Sequence, residues 1–159
     1  MKLFYYKTDQ LLPVDIHEAW SFFSSAKNLP LITPPDLGFK ILSDLRDDRV
    51  YEGMIIDYIV KPLFGIPLRW QTKIFNVVKH KVFVDVQLRG PYHRWEHMHY
   101  FHERGTNTFM EDVVIYQLPL GIIGRVAHYL FVRKKIEQIF QYRKTAINKI
   151  LSKNGTYSV

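Results

Sequence analysis

Two histidines, His97 and His99, stand between two aspartates, Asp85 and Asp112, in a stretch from Phe83 to Pro119 that reads as three strands. Strand side chains alternate between faces. Trp95, His97, His99 and Phe101 therefore share one face of the middle strand. Asp85 and Gln87 share a face on the strand before, and Met110, Asp112, Val114 and Tyr116 on the strand after. A turn centred on Arg104-Gly105 sets Glu103 opposite Thr106, and so His97 opposite Asp112. Such a pair has two uses. A charged aspartate orients an imidazole and raises its pKa, which suits proton transfer in a cyclisation, dehydration or hydrolysis. It also serves as a hydrogen-bonded pair that satisfies two polar groups at a cavity wall. No serine, threonine or cysteine nucleophile stands at an identifiable spacing, which favours the second use and leaves His97 and Asp112 as catalytic candidates only.

An H-x-H pair on a strand also projects two imidazoles to one face, where a carboxylate from Asp85 or Asp112 would make a third metal ligand. However, no second histidine-bearing segment follows, and His102 falls on the opposite strand face. The expectation is a ligand held without metal and without a cofactor. Glycines form neither a G-x-G-x-x-G nor a P-loop pattern, so phosphate cradling has no support. What remains is a face that is aromatic with a few convergent polar groups, the character of a small-molecule cavity. Trp70, Trp95, Phe101 and Tyr116 are the expected walls. Asp85, Gln87, His97, His99 and Asp112 are expected to orient a ligand's polar end.

The elements that must hold these residues follow from periodicity. Lys2–Leu12 reads as a strand ended by Pro13. Asp15 is placed to cap a helix through Ala26, with Glu18 completing a capping box. Ile16, Ala19, Trp20 and Phe23 line its buried face. NLPLITPPDLG is a turn or short helical corner. Strands resume at Phe39–Leu42, Met54–Val60, Leu68–Val78, Val82–Leu88, Trp95–His102 and Thr108–Leu118. Their separators, DLRDDRVYEG, KPLFGIP, KHK, RGPYHR and ERGTN, are short, which implies an antiparallel meander. After Pro119 and Gly121 the period changes. Ile122, Val126, Tyr129, Ile136, Phe140, Ala146 or Ile147, and Ile150 recur at helical spacing to about Leu151. A helix of ~28 residues is ~42 Å long, enough to lie across a whole sheet. It must bury its apolar stripe against one sheet face.

With 159 residues and 47% hydrophobic content, the chain reads as one α+β domain over 1–159 with a sizeable core, and 154–159 as a frayed tail. It has no cysteine, which excludes a disulfide framework and a thiolate metal site. The N-terminus turns polar too early for a signal peptide, and no apolar run is long enough to span a bilayer, so a cytoplasmic location is expected. From Arg125 onward there are eight basic residues against Glu137 alone, which accounts for the whole net charge of +7. Such a stripe can be a solvated helix face, or can make weak contact with an anionic surface or an acidic protein. Nucleic acid is not an expected partner.

One set of residues, in this order and spacing, resembles a known superfamily. It runs from Pro13 and Trp20-Ser21-Phe22-Phe23 through Leu29, Ile32-Thr33-Pro34-Pro35, Gly53, Ile66-Pro67 and Trp70. It continues with Asp85-Val86-Gln87, Gly90-Pro91, Trp95-Glu96-His97-Met98-His99 and Phe101. Thr108, Met110-Glu111-Asp112, Tyr116, Leu118-Pro119 and Gly121 complete it. Over residues 1–151 the chain resembles the SRPBCC superfamily, the START and polyketide-cyclase-like helix-grip proteins, and within it a bacterial subgroup. Tyr92 stands where that subgroup often has Phe. The resemblance implies a seven-stranded curved antiparallel sheet wrapped around the C-terminal helix, with two short helices after the first strand. It also implies an internal cavity for a lipid, polyketide or aromatic metabolite. The superfamily includes carriers, sensors and enzymes, so the fold does not select one reaction.

Overall fold

The computed structural model describes residues 2–45, 49–62 and 65–154. The remainder of the DLRDDRVYEG and KPLFGIP connections, and the expected tail apart from Asn154, lie outside the described residues. Strand β1 (Phe4–Leu12) leads into helix α1 (Ile16–Phe23), a 3₁₀ turn over Ala26–Ile32 and another over Pro35–Leu37. Six strands follow: β2 (Lys40–Ile41), β3 (Ile55–Val60), β4 (Leu68–Val78), β5 (Val82–Arg89), β6 (Arg94–Arg104) and β7 (Asn107–Gln117). They form one sheet in the order β1-β7-β6-β5-β4-β3-β2, every pairing antiparallel. The expected helix-grip architecture is therefore present, with a curved sheet and a long C-terminal helix.

Local chemistry explains the elements. Asp15 Oδ1 accepts from the backbone N–H groups of His17 and Glu18 at 2.8 and 2.9 Å, and so starts α1. Ile16, Ala19, Trp20 and Phe23 are buried as their spacing predicts, but the helix stops at Phe23, before Ala26. In β7 every second residue is buried, from Thr108 through Met110, Asp112 and Val114 to Tyr116. An aspartate thus occupies a core position of an otherwise apolar row. Two register shifts in β4, at Gln71/Thr72 and Phe75/Val78, bend the sheet.

The β6–β7 register differs from the expected one. The loop is Gly105-Thr106, with Arg104 paired to Asn107. Gly105 takes φ 62°, which suits a glycine at the first central position of a two-residue hairpin loop. That placement shifts the register by two residues, so His99 lies opposite Asp112 and His97 opposite Val114. A shift of two keeps every side chain on its expected face.

The C-terminal helix is α2 (Gly121–Ala127), a π turn over His128–Val132, and α3 (Arg133–Asn154). Ile136, Phe140, Ile147 and Leu151 are buried, but Ile122, Val126 and Tyr129 are exposed, contrary to the expected stripe, while Ile150 is half-buried. Gly124 is the reason. A Cβ there would come within 2.1 Å of the Pro119 carbonyl oxygen, so α2 packs its glycine side inward. His128 continues that inward face, stacked on Phe4 at 3.5 Å, and the wide π turn then carries Val132 onto the same side. The core has two main parts. One lies beneath α1 and the end of α3, and the other joins Phe4, Val114 and Tyr116 to Val132, Ile136 and Phe140.

Candidate functional site

Between the sheet, the 3₁₀ segment and α3 lies a cavity of about 200 Å³. Its walls are mostly apolar, with Leu29, Ile56, Trp70 and Phe140 prominent. Five of the nine expected site residues line it: Trp70, Asp85, Trp95, His97 and His99. The register explains why. β4, β5 and β6 are neighbours in the sheet, and these residues lie on the side that faces α3.

The other four stand elsewhere. Gln87 folds onto the β5–β6 loop, where its amide accepts from the Tyr92 N–H at 3.2 Å and donates to the Tyr92 carbonyl at 2.6 Å. Gly90 makes room for it, since a Cβ there would sit 2.3 Å from Gln87 Oε1. Phe101 packs among Trp20, Phe23 and Phe83 beneath α1. Tyr116 packs against Phe4 and His128, with its hydroxyl 3.3 Å from His128 Nδ1, and burial pushes its phenol up to about 12. Asp112 lies behind the two histidines and acts on the cavity through them.

That arrangement is a four-residue network. His97 Nε2 donates to Asp112 Oδ1 at 2.7 Å, so the expected pair forms, but diagonally rather than between opposed residues. His99 Nδ1 lies 2.9 Å from the same oxygen but is poorly aligned, and the nitrogen has no hydrogen-bond partner. On the cavity side His99 Nε2 is bonded to Asp85 Oδ2 at 3.0 Å, and His97 Nδ1 lies 3.5 Å from that oxygen. The two imidazole rings are 3.8 Å apart.

Burial and proximity set their protonation. Burial and the neighbouring His99 together lower His97, outweighing Asp112. This reverses the expected direction. Burial also opposes charge on His99, but contact with both Asp112 and Asp85 outweighs it and raises that residue. Desolvation would raise Asp112, yet the two histidines and the Arg143 guanidinium hold its carboxyl well below the usual carboxylate range. Asp85 is likewise lowered, chiefly by the His99 hydrogen bond against the penalty of burial. Between the lowered pKa of His97 and the raised pKa of His99, two carboxylates, a charged His99 and Arg143 balance to a neutral group with His97 uncharged. Asp85, His97 and His99 each offer one ligand atom within 4.8 Å of the others, the spacing of a metal-binding set. Two members of that set, His99 and Asp85, are bonded to one another through Nε2 and Oδ2.

Several cavity residues were not foreseen. Tyr58 bonds Thr72 Oγ1 at 3.2 Å, and burial raises its phenol. Tyr92 is packed on Trp70 and Trp95, with its phenol also raised by burial. Arg143 reaches the cavity from α3, its guanidinium carbon 6.0 and 5.9 Å from the ring centres of Phe23 and Phe140. Its signal was present in the sequence, because Arg143 lies at helical spacing between Phe140 and Ile147.

No family model and no curated protein sequence matches the chain. Solved structures do match. The Zhui aromatase/cyclase of Streptomyces sp. R1128 superposes with a TM-score of 0.74 at 12% identity, over 95% of this chain and 94% of that one. A START superfamily protein of Mycobacterium smegmatis gives 0.70 at 13% identity, over 94% and 97%. Norcoclaurine synthase of Thalictrum flavum gives 0.70 at 14%, over 97% of both. At these identities the likeness shows the fold, which is that of the START-like helix-grip proteins.

Proposed function

We propose that this protein binds a small apolar or amphiphilic molecule, a lipid, polyketide or aromatic metabolite, in the cavity between sheet and α3, without metal or cofactor. The observation that carries this reading is the cavity itself, with apolar walls and one polar wall of Asp85, His97 and His99. Its size, about seven water volumes, suits a one- or two-ring compound or a short chain. The test is native mass spectrometry of protein purified from its own host. A retained small molecule, lost when Trp70→Ala opens the wall, is the expected result. Protein that carries nothing, and whose Trp fluorescence no aromatic compound perturbs, would remove the reading.

The same wall also supports a cyclase, dehydratase or hydrolase, and two of the matched structures are named as a cyclase and a synthase. His97 faces the cavity with Asp112 bonded behind it, which is the arrangement of an oriented proton carrier. The two readings part at His97→Gln. A binder keeps its affinity within a few-fold, whereas an enzyme still binds its substrate and loses turnover.

A second surface supports contact with an anionic bilayer. Leu120, just before α2, and Ile122, Ile123, Val126, Tyr129, Leu130 and Phe131 within the helix are all exposed on one short stretch. Exposed apolar patches of this kind mark interaction sites. No acidic residue occurs between Asp112 and Glu137, while Arg125, Arg133, Lys134 and Lys135 do. Lys2 is bonded to the Tyr129 hydroxyl within the patch. A second copy of the chain would bring the same cations together, so a negatively charged lipid surface is the better complement. Flotation with vesicles of equal parts phosphatidylglycerol and phosphatidylcholine should carry the protein upward, and Ile123→Asp/Leu130→Asp should abolish this. Equal binding to pure phosphatidylcholine, or a concentration-dependent dimer that the same variant dissolves, would refute it.

A further inference from the structure

Buried polar atoms are almost always hydrogen-bonded, and those that are not call for an explanation. Among the described residues three buried side-chain atoms have no partner: Trp70 Nε1, His99 Nδ1 and Arg143 Nε. All three residues line the cavity. His99 Nδ1 is accounted for by the close approach of Asp112. The other two are donors only, since indole and guanidinium groups have no acceptor.

Arg143 is the more demanding of the two. Its charge is permanent. It is half-buried among Phe23 and Phe140, and it forms no ion pair with a carboxylate among the described residues. Asp85 and Asp112 act on it through space but do not bond it. Ring faces attract a guanidinium weakly, and they accept none of its in-plane N–H bonds. Trp70 is 7% exposed, stacked near Tyr58 and edge-on to Trp95, with its N–H unused.

We infer that the cavity takes an organic acid, whose carboxylate or other oxyanion is held by Arg143 and whose apolar body carries an acceptor within reach of Trp70 Nε1. This rests on the ligand-binding reading above and narrows its chemical class. A carboxylate matches the guanidinium fork and makes charge-assisted bonds roughly twice as strong as neutral ones. Neither donor has any use for a ligand that is purely hydrocarbon. Arg143 offsets the excess negative charge of the His–Asp wall through space but bonds to neither aspartate, so its unused Nε–H donor is what sets the preference for an oxyanion.

The test uses 2-naphthoate and its uncharged counterpart 2-naphthamide, titrated calorimetrically into wild type, Arg143→Met and Arg143→Lys. Quenching of tryptophan fluorescence, with a Trp70→Phe variant as control, reports entry to the cavity. Wild type should bind naphthoate about ten- to a hundred-fold more tightly than naphthamide, the worth of a charge-assisted hydrogen bond. Arg143→Met should level the two, and Arg143→Lys should restore part of the preference. Two results separate this inference from the reading beneath it. If naphthamide binds as well as naphthoate, or Arg143→Met keeps the preference, the acid preference is wrong and the cavity still binds ligands. If neither compound enters wild type, both fail together.

Discussion

Replacing Asp112 by asparagine keeps the size of the side chain and removes its charge, so it isolates what the carboxylate does. In the native protein one oxygen receives His97 Nε2 at 2.7 Å and stands 2.9 Å from His99 Nδ1. A hydrogen bond to a charged group contributes ~1.5–3 kcal/mol and a neutral one ~0.5–1.5, so exchanging one for the other costs about 1–2 kcal/mol. For a chain of this size that is a fall in Tm of ~2–8 °C.

The pH dependence gives the sharper check, and its sign follows from the two shifts. Asp112 has its folded pKa far below its unfolded value, so its stabilisation is complete above the ordinary carboxylate range and lost as pH falls through the folded pKa. His99 has its folded pKa raised, so its stabilisation is present below about 6.5 and lost as pH rises through the folded value. The two overlap between about pH 4 and 6.5. There Asp112→Asn should cost most. Above the folded pKa of His99 both histidines are neutral, the substituted amide can still accept from His97, and the loss should shrink to that of a neutral bond. Thermal melts at pH 5.5 and at a pH above the measured His99 titration check this, and histidine NMR titration should show the His99 pKa falling in the variant. An equal loss of Tm at both pH values, or an unmoved His99 titration, would refute the network.

Gly124→Ala should destabilise by about 2–3 kcal/mol, because the added methyl meets the Pro119 backbone rather than a flexible side chain. Urea unfolding within ~0.5 kcal/mol of wild type would show that α2 can move aside freely. Phe140→Ala removes a buried ring that packs on Tyr6 and edges His97, and should cost ~3–5 kcal/mol by the same measurement. Gln87→Ala breaks both bonds to the Tyr92 backbone and should lose about 1–2 kcal/mol. A stability unchanged by that substitution would mean that Gln87 does not hold the loop.

Strand alternation made the sheet legible, because each face is fixed by a period of two and a shift of two residues leaves it intact. That is why the histidines and aspartates face as expected although the pairing slipped. The slip arose at the turn. Arg104-Gly105 and Gly105-Thr106 are equally plausible from composition, and only the backbone angle at Gly105 decides between them. Gln87 stands away from the cavity for a different reason. Its face was right, but a long polar side chain beside a glycine can turn back onto its own loop, and periodicity says nothing of rotamers.

The C-terminal helix carries the more general lesson. Its apolar residues outnumber its core positions, so counting hydrophobic residues at helical spacing chose the wrong face before the π turn. Small residues were the better guide. Gly124 marks where the backbone comes closest to its neighbour, and the inward face runs through it to His128 and Val132. The same geometry separates Arg143 from the other basic residues. Lys134, Lys144 and Lys149 add to the charge of the segment, but Arg143 falls at helical spacing between Phe140 and Ile147, where a hydrocarbon would be cheaper. A permanent cation at such a position, bonded to no carboxylate among the described residues, keeps an N–H donor open to an anion that arrives from outside.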